Sequence, residues 1–174
     1  RQGSYVMTNH LYLFARNYNG TLQCGNGPRR IRSFKYYNKD NVLVCDLVPC
    51  YKKDTLEAGM YNLVNKTFLT SSGAGDFIRG EAVNFGSSAG EYMELEWLSA
   101  LSGVAAYIDL GFVFDTACKI QMSQYIGDIK VAYPFGAVEN SGVNRCAFSN
   151  PYPEGENGTF YGTSVDGYIG PSLT

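Results

Sequence analysis

The chain is poor in charge and in histidine. Only 17% of its 174 residues are charged, the formal net charge is −2, and His10 is the only histidine. Because no basic stripe exists to neutralise phosphates, the composition argues against a nucleic-acid partner. Any Ser-His or Cys-His catalysis must use His10, which sits beside an apolar strand, so we expect a structural histidine, packed or exposed. Metal sites built on several histidines are excluded.

The cysteines lack the pattern of a disulfide framework or a zinc site, since their number is odd and no CxxC spacing occurs. They are Cys24, Cys45, Cys50, Cys118 and Cys146. We expect mostly free thiols, which indicates synthesis in a reducing cytoplasm, whatever the final location. No apolar run approaches the ~18 residues of a membrane span, so no membrane insertion is expected. The first residues do not show the charged segment and apolar run of a signal peptide, so we expect none in this sequence. A start at Arg1 rather than Met indicates processing or a longer parent protein.

Glycine and aromatic residues are abundant. The chain has 20 Gly and 14 Tyr, and 14% of its residues are aromatic. Tyr and Phe suit a pleated, half-buried surface, and Gly suits the turns between strands. The length fits one domain that buries ~70% of its unfolded surface. The composition therefore favours an all-β fold, and no long segment keeps the period of a helix.

Alternation of apolar and polar residues predicts the strands. A hairpin is expected from 30–37 and 42–48 over a turn at 38–41, with Pro49 ending its second strand. A second hairpin is expected from 60–64 and 67–70 over Asn65 and Lys66. Residues 16–27 have a loop composition. Further strands are predicted at 10–14, 105–110, 119–126, 133–138 and 145–149.

Several phrases resemble one family of β-sandwich modules. LYLFARNYNGT (11–21), IRSFKYYNKDNVLVCDLVPCYKK (31–53) and GMYNLVNKTFLTSSGAGDF (59–77) resemble the closing strands of LamG-like or concanavalin A-like jelly-roll modules. Such modules occur in phage tail and fibre proteins and in surface proteins of gut bacteria. EYMELEWLSALSGVAAYIDLG (91–111) resembles their opening strands, and YPFGAVENSG (133–142) is similar to the strand and loop after those opening strands. Asn62 stands where the family usually has Asp, Lys66 where a turn Gly is common, and Leu110 where Thr is usual.

The two groups of phrases stand in reverse order. We interpret residues 1–80 as the closing half of a sandwich and the Gly- and Ser-rich residues 81–90 as a linker. Residues 91–174 would be the opening half of the same or a neighbouring sandwich. Termini of sandwiches often lie close together, so a circularly permuted domain is physically reasonable. An out-of-phase fragment of a tandem array is equally reasonable, and both interpretations stay open.

Carboxylates offer two kinds of candidate site. Glu94 and Glu96 share a strand face, as a glycosidase pair would, but they lack the Glu-x-Asp-x-x-Glu spacing of sandwich glucanases. The alternative is a solvated face opposite Met93, Leu95 and Trp97. Calcium needs several oxygen ligands, and the candidates are scattered, without a DxDxDG run. They are Asp109, Asp115, Asp128 and Asp166. We therefore expect no cofactor, with calcium as the one candidate.

The tail combines aromatic residues with Gly, Asn and Asp. Loops of this composition can stack on sugar rings while amides and carboxylates bond hydroxyls, and they are equally typical of loops that pack on their own sandwich. The candidate ligand-binding residues are Tyr152, Asn157, Phe160, Tyr161, Asp166 and Tyr168.

The sequence thus predicts a two-sheet antiparallel jelly-roll sandwich, in permuted order or cut from an array. We expect a non-catalytic binding or structural module that displays loops to a glycan or a host-surface protein. The resemblance implies a virion or cell-surface location, a role in adhesion, and assembly with other structural subunits as a homo-oligomer. One alternative is a purely structural fibre or filament subunit that strands of neighbouring copies complete. The other is a glycoside hydrolase.

Overall fold

The computed structural model describes residues 8–24, 29–83, 90–101, 103–113, 118–125, 132–138, 145–150 and 159–161. Every regular element in these ranges is a β-strand, and the strands form two sheets. The prediction of an all-β, two-sheet fold is therefore confirmed, while the jelly-roll connectivity stays a prediction. In the same ranges there is no helix with the length and apolarity needed to cross a membrane.

Fifteen strands are numbered here in chain order. They are β1 (Tyr12–Leu13), β2 (Arg16–Tyr18), β3 (Thr21–Gln23), β4 (Arg29–Tyr37), β5 (Leu43–Lys52), β6 (Ala58–Asn62), β7 (Thr67–Leu69), β8 (Ile78–Arg79), β9 (Tyr92–Glu94), β10 (Leu98–Ala100), β11 (Ile108–Asp109), β12 (Lys119–Tyr125), β13 (Ala132–Val138), β14 (Arg145–Asn150) and β15 (Thr159–Tyr161). The smaller sheet has the order β11-β1-β13-β14-β15, and it continues from β13 through β2 to β3. The larger sheet has the order β7-β6-β5-β4-β10-β8, with β12 also on β4 and β9 also on β5.

Strand β4 joins the two halves of the chain. One edge of β4 pairs with β12 over most of its length. The other edge pairs with β5 near its carboxyl end and with β10 near its amino end. All these pairs are antiparallel, whereas β13 and β2 are parallel. Because β10 and β12 come from the second half, strands from both halves of one chain make the larger sheet.

The first residues of the predicted linker continue this sheet. Ala82 forms a β-bridge with Leu95. The Val83 N–H donates to the Glu94 carbonyl over 2.9 Å, and the Gly80 N–H donates to the Trp97 carbonyl over 2.9 Å. The segment 80–83 therefore lies along residues 94–97, and residues 84–89 lie outside the described ranges.

One core cluster fills the space between the sheets. Phe34 of β4 meets Phe135 of β13 edge to face, with ring centroids 6.1 Å apart. Tyr36 meets Phe112 at 4.7 Å. Inward and outward residues of β4 alternate on either side of Arg32, where a register shift against β12 places both Ile31 and Phe34 in the core. The larger fully buried apolar side chains of the cluster are Leu11, Leu13, Phe14, Ile31, Phe34, Leu47, Met60, Leu98 and Ile108.

Strand β5 runs through Pro49, so the prediction that Pro49 ends the strand is wrong. Pro49 pairs with Met60 on β6, and its carbonyl accepts the Leu95 N–H over 2.9 Å. The N–H and C=O of one residue point to the same side of an extended strand. The donor that proline lacks would therefore face Leu95, which lies between the end of β9 and the start of β10, and the ladder with β6 is intact.

Residues 16–23 form a hairpin where a loop was expected. Strands β2 and β3 pair from Arg16 opposite Gln23 to Tyr18 opposite Thr21. The two-residue turn has positive φ angles, 48° at Asn19 and 79° at Gly20. Asn-Gly is the favoured pair for such a turn because both positions need left-handed backbone. The turn residues give the segment its loop composition, and the flanking strands are too short to offset it.

Candidate functional site

The single histidine is paired with an aspartate on the surface of the smaller sheet. The His10 Nδ1 atom lies 3.0 Å from Oδ1 and 3.1 Å from Oδ2 of Asp109. The two side chains are 47% and 32% exposed. The Asp109 Oδ1 atom also accepts the Gly111 N–H over 2.8 Å. The carboxylate is thus fixed from two sides while both members of the pair remain open to solvent.

Two tyrosines border this pair. Tyr12 on β1 stands directly opposite Asp109 on β11. The Tyr12 and Tyr107 rings have centroids 4.6 Å apart and planes tilted by 37°. We call His10, Tyr12, Tyr107 and Asp109 the tyrosine patch. Partial burial raises the pKa of Tyr12, the Asp109 charge and Tyr107 raise it further, and the Tyr12 hydroxyl is therefore a hydrogen-bond donor at neutral pH.

The backbone holds the patch in place from a distant loop. The Asp109 N–H donates to the Ser72 Oγ atom over 3.0 Å, and the Ser72 N–H donates to the Tyr107 carbonyl over 2.7 Å. The ladder between β1 and β11 is extended by a bond from the Leu110 N–H to the Leu11 carbonyl over 3.0 Å. Leu11 and Leu13, which flank Tyr12 in sequence, are fully buried. Alternation along β1 therefore places Tyr12 on the outer face.

A row of cross-strand partners leads away from the patch. Tyr12 pairs with Gly136 of β13, Gly136 with Ala147 of β14, and Ala147 with Tyr161 of β15. With strands ~4.8 Å apart, the row from Tyr12 to Tyr161 spans roughly 14 Å. Its two middle positions are a glycine and an alanine, and a tyrosine stands at each end of the row.

The row connects the patch to one residue of the predicted site. Tyr161 belongs to the row of cross-strand partners that begins at Tyr12. Its neighbour Phe160 belongs to the adjacent row, in which the successive partners are Phe148, the buried Phe135 and Leu13. Tyr152, Asn157, Asp166 and Tyr168 lie outside the described residues. The predicted ligand-binding set therefore stays a prediction, with two members located on β15.

The structure also locates the candidate carboxylates. Glu94 ends β9 and is exposed, and exposed Glu96 forms an ion pair with Arg32 over 2.7 Å. Asp109 belongs to the tyrosine patch, whereas Asp115, Asp128 and Asp166 fall outside the described ranges. Within the part of the chain that the structure describes, no group of three or more His, Cys, Asp and Glu side chains is placed to hold a metal ion.

A second group of aromatic side chains lies on the outer face of the larger sheet. The Tyr92 ring stacks on Phe68 at a centroid distance of 5.3 Å and meets Tyr61 at 4.8 Å. The Lys52 Nζ atom lies 4.7 Å from the Phe68 centroid. We call Tyr61, Phe68 and Tyr92 the aromatic stack. Its rings are half-buried, like those of the tyrosine patch, but no histidine–carboxylate pair borders them among the described residues.

Sequence reasoning missed the tyrosine patch. The sequence predicts a structural role for His10 and marks Asp109 only as a calcium candidate. The two residues are 99 positions apart, and only the pairing of β1 with β11 brings them together. The available signal was the alternation of Tyr12 between Leu11 and Leu13, which marks an outward tyrosine next to the only histidine.

Comparisons of the chain with protein-family models, with curated proteins and with solved structures give no match. The resemblance to LamG-like modules therefore stays a prediction from the quoted phrases.

Proposed function

We propose that the chain is a non-catalytic binding module that contacts a neutral glycan through the tyrosine patch. The single observation that carries this proposal is the pairing of Tyr12 and Tyr107 beside the solvent-exposed His10–Asp109 pair. A sugar ring has an apolar face of C–H groups and a rim of hydroxyls. The patch offers an aromatic surface for the first and hydrogen-bonding groups for the second.

The polar groups favour an uncharged sugar. Asp109 accepts hydrogen bonds and carries a negative charge, so an acidic sugar placed against it would be repelled. The net charge of −2 also disfavours binding of an acidic sugar. Sugar hydroxyls donate to a carboxylate, and such charge-assisted bonds are about twice as strong as bonds between neutral groups.

Backbone pairing connects the tyrosine patch to one residue of the sequence-derived site. Tyr12 pairs with Gly136, Gly136 with Ala147, and Ala147 with Tyr161, which is also a candidate from the sequence. Because Gly136 is buried, the contact with a sugar rests on the tyrosine patch itself.

The virion or cell-surface location rests on the sequence phrases that resemble LamG-like modules, as does the jelly-roll connectivity. A module of this kind would serve adhesion, with further subunits of the same assembly as its neighbours. Tyr12 and Asp109 stand on paired strands, which hold side chains more rigidly than loops do, and His10 and Tyr107 lie in the segments just before those strands. For catalysis, His10 would need a nucleophile within reach. Among the described residues its ring is paired with Asp109 alone.

A glycan array followed by calorimetric titration tests the proposal. The wild type is expected to bind a neutral oligosaccharide, and the Tyr12→Ala variant should bind it at least tenfold more weakly, a loss of about 1.4 kcal/mol. The Asp109→Asn variant keeps the shape and removes the charge, so its preference should shift toward acidic glycans. Tyr61→Ala, which removes a half-buried tyrosine of the aromatic stack, is the matched control and should bind normally.

Three results would contradict the proposal. Loss of binding in Tyr61→Ala but not in Tyr12→Ala would move the site to the aromatic stack. Absence of any glycan ligand, together with filament formation at rising concentration, would favour the structural fibre subunit. Polysaccharide cleavage that disappears in Glu94→Gln or Glu96→Gln would identify a glycoside hydrolase.

A further inference from the structure

Arg29 is a cation buried at one end of the core. It is the first residue of β4 and is 1% exposed. Arg29 pairs with Ala100 on β10, and Ile31, two positions further along β4, faces the core with no exposed surface. The side chain thus belongs to the inward row of β4, whose other members are Ile31, Phe34 and Tyr36, none of them charged.

The Arg29 guanidinium is only partly hydrogen-bonded. Its Nη2 atom donates to the Leu101 carbonyl over 2.7 Å. Its Nε and Nη1 atoms are buried and have no hydrogen-bond partner within the described ranges. Arginine has five N–H donors, and buried polar groups in proteins are almost always bonded. Two nitrogens without acceptors at this depth therefore need an explanation.

Among the described residues, no ion pair compensates the charge of Arg29. Burial lowers its pKa, and the neighbouring Cys24 side chain opposes that shift. The ion pairs formed by described arginines and lysines involve other cations, such as Arg32 with Glu96 and Lys35 with Asp46. A buried charge without a counter-charge is strongly unfavourable, and a carbonyl dipole supplies only part of the compensation.

We propose that Arg29 binds the carboxylate or phosphate group of a small ligand through its Nε–H and Nη1–H groups. The planar guanidinium matches the geometry of these oxyanions and remains charged where a lysine would lose its proton. Because Arg29 is enclosed, the anionic group must be small or terminal. The Cys24 sulfur accepts a hydrogen bond from the same guanidinium. This site is distinct from the tyrosine patch and does not depend on glycan binding.

Thermal unfolding of the full chain, followed by the fluorescence of its only tryptophan, tests the proposal. Acetate or inorganic phosphate replaces chloride at constant ionic strength. At least one of the two should raise the melting temperature of the wild type by a few degrees and saturate, as ligand binding to the folded state requires. The anion that acts at the lower concentration identifies the chemistry. Arg29→Met should lose the effect. Arg32→Met, which removes an exposed arginine three positions along β4, should keep it.

A second measurement covers the case in which Arg29→Met does not fold. In wild-type protein labelled with ¹⁵N-arginine, addition of the active anion should shift one Nε–H resonance. Arg29→Lys then assigns that resonance by its absence. An equal temperature rise in Arg29→Met and wild type, or a rise that never saturates, would overturn the proposal. So would an Arg29 resonance that neither anion shifts.

Discussion

The side-chain amide of Asn62 on β6 accepts the backbone N–H of Asp46 on β5, with an Oδ1–N distance of 3.2 Å. The same Oδ1 atom accepts the Val64 N–H over 3.0 Å, and Nδ2 lies 3.8 Å from the Cys45 sulfur. Asn62 is 4% exposed and its bond to Asp46 is buried, so water cannot take over that bond. One buried side chain therefore links β5 to the turn that follows β6.

Replacement of Asn62 by alanine should destabilise the fold by about 2 kcal/mol, because it leaves the buried Asp46 N–H without an acceptor. Urea unfolding measures the change. Asn65→Ala is the matched control: its Oδ1 atom also accepts two bonds, from the Thr67 N–H and the Thr67 hydroxyl, but it is exposed. The Asn65→Ala variant should lose less than about 1 kcal/mol of unfolding free energy, because water replaces the lost hydrogen bonds. Equal losses in the two variants would contradict this account.

Lys66 occupies a left-handed position in the turn between β6 and β7, with a φ of 61°. A residue with a side chain pays roughly 1 kcal/mol for this conformation, and glycine does not. Lys66→Gly should therefore raise the free energy of unfolding by about 0.5 kcal/mol, after the entropy cost of glycine is included. Lys39→Gly, in the turn before β5, lacks a positive φ and should instead lower stability. A loss of stability in Lys66→Gly would show that the turn does not carry this strain.

Two glycines differ in what a methyl group would meet. At Gly59 a Cβ atom would overlap the Leu69 carbonyl oxygen, which belongs to the sheet backbone. At Gly80 it would lie 2.8 Å from the ring of Trp97, a half-buried side chain that can move. Gly59→Ala should thus cost about 3 kcal/mol and Gly80→Ala about 1 kcal/mol. Only Gly80→Ala should change the native tryptophan emission. The reverse order of stabilities would refute this reasoning.

Two buried thiols should make the protein less stable in alkaline solution. Burial raises the pKa of Cys45 and of Cys50 to about 12. Above about pH 9 the unfolded chain loses these protons while the folded chain keeps them, so stability falls as the pH rises toward 12. In that range Cys50→Ala should lower the slope of unfolding free energy against pH by about 1.4 kcal/mol per unit. Val48→Ala, a half-buried truncation on β5, should leave the slope unchanged.

The strands with one buried face could be predicted from the sequence. Phe34 and Tyr36 alternate with polar residues, and β4 and β12 occupy nearly the predicted ranges. Where the chain bends, the alternation of apolar and polar residues does not predict which side chains face the core. Leu95 and Leu98 are both in the core, three positions apart, and the Trp97 ring lies 4.6 Å from the Arg30 guanidinium on the outer face. The expectation that Trp97 shares a face with Leu95 is therefore wrong, because a bend at Glu96 interrupts the period of two.

The candidate site was harder to predict than the strands. Alternation shows that Tyr12 points outward, but it does not show which strand lies beside it. The neighbour of Tyr12 is Asp109, from a strand of two residues that has almost no pattern of its own. Arg29 presents the same difficulty, since a basic residue at a strand entry is usually solvated. Its burial follows from the pairing with β10, which only tertiary structure determines.

The position of β4 between strands of both halves has a consequence for assembly. If the peptide bond after Val83 were cut, each fragment would expose the edges that the other had covered. Neither fragment is then expected to be stable alone, whereas a mixture should reconstitute the native sheet. The chain would behave as a split protein whose pieces complement each other.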